Sequence, residues 1–252
     1  ATDPGGLFSE ASVHVTIQDV SEPSSVTLSS TGGVQISAAA GGATSGFTFA
    51  GAGNVTTPGT PEDRIVLGYD LGASHVVLSA APLMSEQGLT PLGTSSYSAD
   101  GVSYFASLLS AQNGVTLTQT IGLGADANYF TTTIDVFNGS GSDISNVRFM
   151  RTLDPDQDVP SETFDTYNDV VQNPTGSLSV AAVKATGPVT GTVVELVGDG
   201  ANWRASAFGF TNTDPYVAAA YDSPQDPNGA SADIAIALTN NIGTISAGGS
   251  AH

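Results

Sequence analysis

Cysteine is absent from this 252-residue chain, which excludes a disulfide framework, a thiolate zinc site and a cysteine nucleophile. Positive charge is nearly absent too. Five cations, Arg64, Arg148, Arg151, Lys184 and Arg204, face 24 acids, for a formal net charge of -19. No basic patch exists to neutralise a phosphate backbone, so nucleic acid and anionic membrane surfaces are poor partners. No apolar run approaches the roughly 18 residues that span a bilayer, and membrane insertion is not expected. No basic n-region precedes an apolar stretch, so an export signal, if used, is expected outside this segment. The chain also lacks a G-x-S-x-G elbow, a phosphate loop, a metal-binding His pair and a dinucleotide fingerprint. His14 and His75 stand far apart in strand-like segments, and His252 is terminal. The chain is therefore expected not to be an enzyme. Its paired carboxylates leave a glycosidase-like acid and base as an alternative. A general acid, however, needs an apolar pocket that raises its pKa, and acids gathered around a cation stay ionised.

What is present is a chain able to build a core. Hydrophobic residues make up 40% and charged residues only 12%, which separates it from an acidic disordered tail. The dominant period is two. Ser12–Val20 alternates apolar and polar, as do 26–29, 34–37, 46–49, 64–67, 115–121, 129–137, 177–183 and 192–197. These segments are rich in Val, Ile, Thr, Phe and Tyr, which suit a pleated, half-buried surface. Asn113-Gly114 and Asn138-Gly139 mark breaks between them, and Asp100-Gly101 and Asp199-Gly200 predict hairpin turns. The fold class expected is all-β: a single β-sandwich over 1–252, with long loops and little helix. Residues 1–10 are expected to be a tail or linker. Single helical turns are expected only at 83–87 and 217–221. Abundant Gly and mixed loops suggest a monomeric module of a longer extracellular chain.

Of the acids, six are Glu and 18 are Asp. Solubility alone does not favour Asp; tight turns and calcium loops do, because the short carboxylate stays close to the backbone. The acids concentrate in Phe149–Val170, FMRTLDPDQDVPSETFDTYNDV, which holds Asp154, Asp156, Asp158, Glu162, Asp165 and Asp169. Pro155 and Pro160 argue for a loop. Ca2+ takes six to eight oxygen ligands, and D-x-D-x-D in an extended turn directs three carboxylates to one side. Counted against the twelve-residue calcium loop, Asp154, Asp156 and Asp158 take positions one, three and five, Pro160 seven, Glu162 nine and Asp165 twelve. Val159 stands where that loop needs Gly, and Asp165 replaces the longer Glu. The expectation is thus an oxygen cage on a β scaffold and not an EF-hand. The alternative reading is a solvated acidic loop partly neutralised by Arg148 and Arg151.

The run FMRTLDPDQD followed by TFDTYNDVV resembles the peptide-binding domain of large calcium-dependent repeats-in-toxin (RTX) adhesins of Gram-negative bacteria. The likeness covers Phe149–Val171, with weaker support from Tyr129–Asn138. The resemblance implies a β-sandwich holding several Ca2+ ions at a bacterial cell surface. One ion would help to grip the C-terminal carboxylate of a peptide on another cell. The ion-holding acids would come from Asp154, Asp156, Asp158, Asp165 and Asp169. Local charge supports such a role, because a carboxylate approaching this anionic chain is repelled unless a bound cation reverses the sign. Arg151 could add a charge-assisted hydrogen bond, and Tyr167 and Asn168 could touch a ligand backbone. Their simpler roles are charge balance, packing and turn formation.

Three further features have two readings each. Asp226 and Asn228, in the acidic turn 222–229, either line a groove or form an Asx-turn. Trp203 is either a stacking platform for a sugar or peptide, or core. A calcium-dependent carbohydrate-binding domain is the alternative function. Asp233, in a separate segment, is expected to matter less to ion binding than Asp156.

Overall fold

The computed structural model describes residues 25–39, 44–49, 54–56, 63–80, 88–210 and 212–252. The expected strand at Ser12–Val20, the expected tail at 1–10 and the helical turn at 83–87 lie outside the described residues. The sheets of the described residues are all antiparallel, and among these residues there is no α-helix; one of two 3-10 turns, at 218–220, falls within the expected 217–221. Along the chain the strands are β1 (Ser25–Ser29), β2 (Val34–Ala39), β3 (Thr44–Phe49), β4 (Asp63–Leu71), β5 (Ser74–Ala80) and β6 (Thr90–Ala99). There follow β7 (Val102–Ser110), β8 (Val115–Gly124), β9 (Phe130–Asn138), β10 (Ile144–Leu153), β11 (Thr166–Gln172) and β12 (Val180–Thr186). The last are β13 (Val193–Asp199), β14 (Trp203–Ala207), β15 (Ala230–Ala232), β16 (Ile236–Ile245) and β17 (Ser250–Ala251).

These strands build four sheets. An outer sheet has the order β1-β2-β3, and a meander sheet the order β17-β9-β8-β7-β6. A central sheet is ordered β14-β16-β10-β4-β5, and a side sheet β13-β12-β11-β15. All four contribute to the lining of one central cleft, so the arrangement is propeller-like and not a plain two-sheet stack.

Turn chemistry explains the meander. Asp100 and Gly101 both have positive φ, 51° and 78°, as a type I′ hairpin requires, and they join β6 to β7 in direct register. Asp199-Gly200 does not make the expected hairpin: β13 belongs to the side sheet and β14 to the central one. The Trp203 ring packs directly over Gly198, where a Cβ would strike the ring.

Packing is organised around the central sheet. One face carries Ile65, Leu67, Tyr69 and Phe149, packed with Leu109, Leu117 and Val136 of the meander sheet. Farther along that face, Leu153, Ala205, Ile236 and Leu238 pack with Ala181, Val183 and Val194 of the side sheet. Trp203 touches both clusters. The opposite face buries Val66, Met150 and Ala237 under Phe208 and Ala220. Strand β10 is therefore covered on both sides, and Val147 to Leu153 are all buried. Part of the segment expected to be loop, Phe149–Leu153, is instead the middle strand of the central sheet. Its other end, Thr166–Gln172, is β11.

Candidate functional site

The acidic connection runs from the end of β10 to the start of β11, from the central sheet to the side sheet. Its first three acids are not solvated: Asp154, Asp156 and Asp158 are 2%, 1% and 1% exposed. The neutralising arginines point elsewhere. Arg151 projects into the cleft, 2.9 Å from the buried Asp63 carboxylate and 3.3 Å from Thr132 Oγ1. Arg148, on the opposite face, donates to the Pro215 carbonyl and lies over the rings of Tyr216 and Tyr221.

Two of the expected ligands meet. Oxygens of Asp154, Asp156 and Asp233 all lie within 4.8 Å of one another. Oxygens that share one Ca2+ at about 2.3–2.6 Å each can be no more than about 5 Å apart, so this spacing fits a common ion. The Asp156 amide donates to the Val55 carbonyl at 2.8 Å, which holds the first half of the loop. Asp233 comes from far away in sequence. Strand β15 pairs with the start of β11, with Ala232 opposite Thr166, and Asp233 follows directly. Burial and the Asp165 charge push the Asp233 carboxyl above its usual range. Arg64, fully buried, takes the register position of Thr152, two residues before Asp154. Asp233, expected from its separate segment to matter less than Asp156, is thus the third member of this acid group, and the Asp165 charge acts on it as a fourth.

The other sequence candidates have different geometry. Asp158 caps the turn between β12 and β13, accepting from the Val189 amide at 2.6 Å, the Thr190 amide at 3.2 Å and Thr190 Oγ1 at 2.5 Å. Burial raises its pKa, but these hydrogen bonds outweigh it and hold the carboxyl below the usual carboxylate range. Gly187 permits this approach, since a Cβ there would lie 2.5 Å from Asp158 Oδ2. Gln157 adds bonds to the Ala185 and Thr192 carbonyls. The extended D-x-D-x-D geometry therefore ends at Asp156, and the chain turns into a 3-10 turn at Val159–Ser161. Glu162, at φ 65°, ends that turn and is exposed. Asp169 pairs with Lys184 across the sheet at 3.4 Å. Asn168 is fully buried, its amide bonded to the Thr166 and Ala232 carbonyls. Tyr167 is exposed. Asp226 forms an Asx-turn with the Asn228 amide and also accepts from the Val170 amide.

Beside the acid group opens the central cleft, about 1020 Å³ in volume. Its floor is the central sheet, with Phe149, Leu153, Trp203 and Leu238; its walls are β9 and β13. Leu153 connects the two features, because it lines the cleft and immediately precedes Asp154. Trp203 is half-buried there, 6.3 Å from the Phe149 ring and edge-on to it. It is at once core and cleft surface. In comparisons with known proteins, no family model and no curated protein matches this chain.

Proposed function

We propose that this chain is a calcium-dependent peptide-binding module of a bacterial cell-surface adhesin, acting by adhesion and not by catalysis. The observation that carries the reading is the convergence of Asp154, Asp156 and Asp233, two of them buried, at the spacing of a shared divalent ion. Burying adjacent carboxylates is strongly unfavourable unless positive charge accompanies them. A Ca2+ ion held there would offer the positive contact point that a peptide C-terminal carboxylate needs on a chain of net charge -19. In this reading the packing of the meander sheet on the central sheet is the sandwich of the resembled module. The 154–165 connection is then its calcium loop.

The test is thermal unfolding with and without calcium. A ligand that binds only the folded state raises Tm by mass action. Millimolar CaCl2 should raise Tm, EDTA should reverse this, and Asp156→Asn or Asp233→Asn should remove the rise. Unchanged melting in EDTA would sink the ion site. Titration with peptides bearing a free or an amidated C-terminus then tests the carboxylate. A second reading, a carbohydrate-binding cleft, draws on Trp203 and Tyr129, which line the same space. Competition by a free hexose but not by peptides would favour it.

A further inference from the structure

We infer that the central cleft is a strand-accepting groove, which takes an extended, lysine- or arginine-bearing peptide between the open edges of β9 and β13. This goes beyond the calcium reading and does not depend on it. Strand β13 is the outermost strand of the side sheet, and among the described residues nothing pairs with its outer edge. Strand β9 is covered by β17 only at Val136 and Phe137, so Thr131 to Asp135 have no strand on that side among the described residues. Both edges line the same cleft. Each presents a row of backbone donors and acceptors, the template on which an added strand forms.

Two other edges of this fold are guarded. Strand β6, at the far side of the meander sheet, carries Pro91 and a register break between Pro91 and Gly93. Strand β15 is only three residues long. The two cleft edges have neither proline nor register break. Instead, exposed apolar side chains, Val193, Val197 and Tyr129, stand at the cleft mouth. Charge selects the occupant. Glu195 and Asp199 are exposed on the β13 rim, whereas the cleft cation Arg151 is buried against Asp63. An incoming strand with basic side chains meets complementary charge, and an acidic one is repelled.

The chain's single tryptophan, Trp203, reports occupancy, because it forms part of the floor. The probe is a pool of nine-residue peptides with Lys fixed near each end and Val, Ile or Thr between, C-terminally amidated, titrated in EDTA. A saturable change in Trp203 emission is expected. Methylating alternate peptide amides should weaken it at least tenfold, since this removes one edge's hydrogen bonds. Glu195→Gln with Asp199→Asn should weaken it severalfold and flatten its salt dependence. Equal binding of the N-methylated pool, or no emission change with any peptide, would overturn the inference. So would an emission change produced by a free hexose alone, or by self-association alone. Binding of the amidated pool in EDTA, without a calcium-induced Tm rise, would retain the groove while the calcium reading fails. Calcium-dependent binding that requires a free C-terminus but is indifferent to N-methylation would do the reverse.

Discussion

Replacing Asp158 by Ala separates a structural role from the proposed calcium binding within one acidic loop. The Asp158 carboxylate accepts two backbone amides and the Thr190 hydroxyl. That hydroxyl can turn to Thr192 Oγ1, already 2.9 Å away, so its loss matters little. The Val189 and Thr190 amides, on an exposed turn, would exchange the carboxylate for water. A hydrogen bond to a charged acceptor contributes about 1.5 kcal/mol at the low end, so two give roughly 3 kcal/mol. For a chain of this size that lowers Tm by about 6–12 °C. The assay is calorimetry in EDTA and in CaCl2. Asp158→Ala should melt lower in both, with the calcium-induced rise intact. Asp156→Ala should lose the rise. Gly187→Ala gives an independent check, because its methyl group would displace the same carboxylate and should lower Tm without altering the calcium response. If Asp158→Ala melts within about 1 °C of the parent, or loses the calcium response, the assignment of Asp158 as a turn clamp is wrong.

Two other predictions concern the ion pairs. Arg151→Met and Asp63→Asn each remove one member of a buried ion pair and should destabilise by up to about 3–5 kcal/mol, with the double variant well short of their sum; additive shifts in denaturant midpoint would show that the pair is not coupled. Asp70 is held below its usual range by the hydrogen bond with His75, with Asn146 adding to it. A depressed carboxylate pKa stabilises the fold above the unfolded value, about 3.9, and that contribution is lost as pH falls through the folded value. The Tm difference between the parent and Asp70→Asn should therefore be full at pH 6 and fade below pH 4; a difference that grows on acidification would contradict this.

The all-β class and antiparallel strands were legible because half-buried strands carry a period of two. Strands β2, β8 and β9 match alternating segments read from the sequence, close to their observed bounds, and 64–67 marked part of β4 although that strand is buried on both faces from Asp63 to Tyr69. Strand β10 carried no such signal. It is covered on both faces, so alternation gives no advantage, and its two arginines serve opposite sides. Strand β11 looked like loop because it contains Asn168 and Asp169. Asn168 is tolerated there since its amide completes bonds to two backbone carbonyls, and Asp169 since Lys184 stands opposite. In the acidic segment the sequence located Asp154 and Asp156, but local spacing carried the pattern too far. The turn at Val159 redirects Asp158 to another hairpin. Asp233 had no local signature at all, because only the pairing of β15 with β11 delivers it.

That pairing gives the acid group its significance. Asp154 and Asp156 leave the central sheet, whereas Asp233 belongs to the end of the side sheet. A cation shared by the three would tie one sheet to the other at the point where Leu153 meets the cleft. The side sheet also supplies β13, one wall of that cleft. Ion and groove are then linked mechanically even if no ligand atom touches both. An ion that fixes the side sheet against the floor fixes the spacing of the two open edges, and an extended chain hydrogen-bonded to both is sensitive to that spacing. The coupling is reciprocal by linkage: whatever factor calcium adds to peptide affinity, bound peptide adds to calcium affinity.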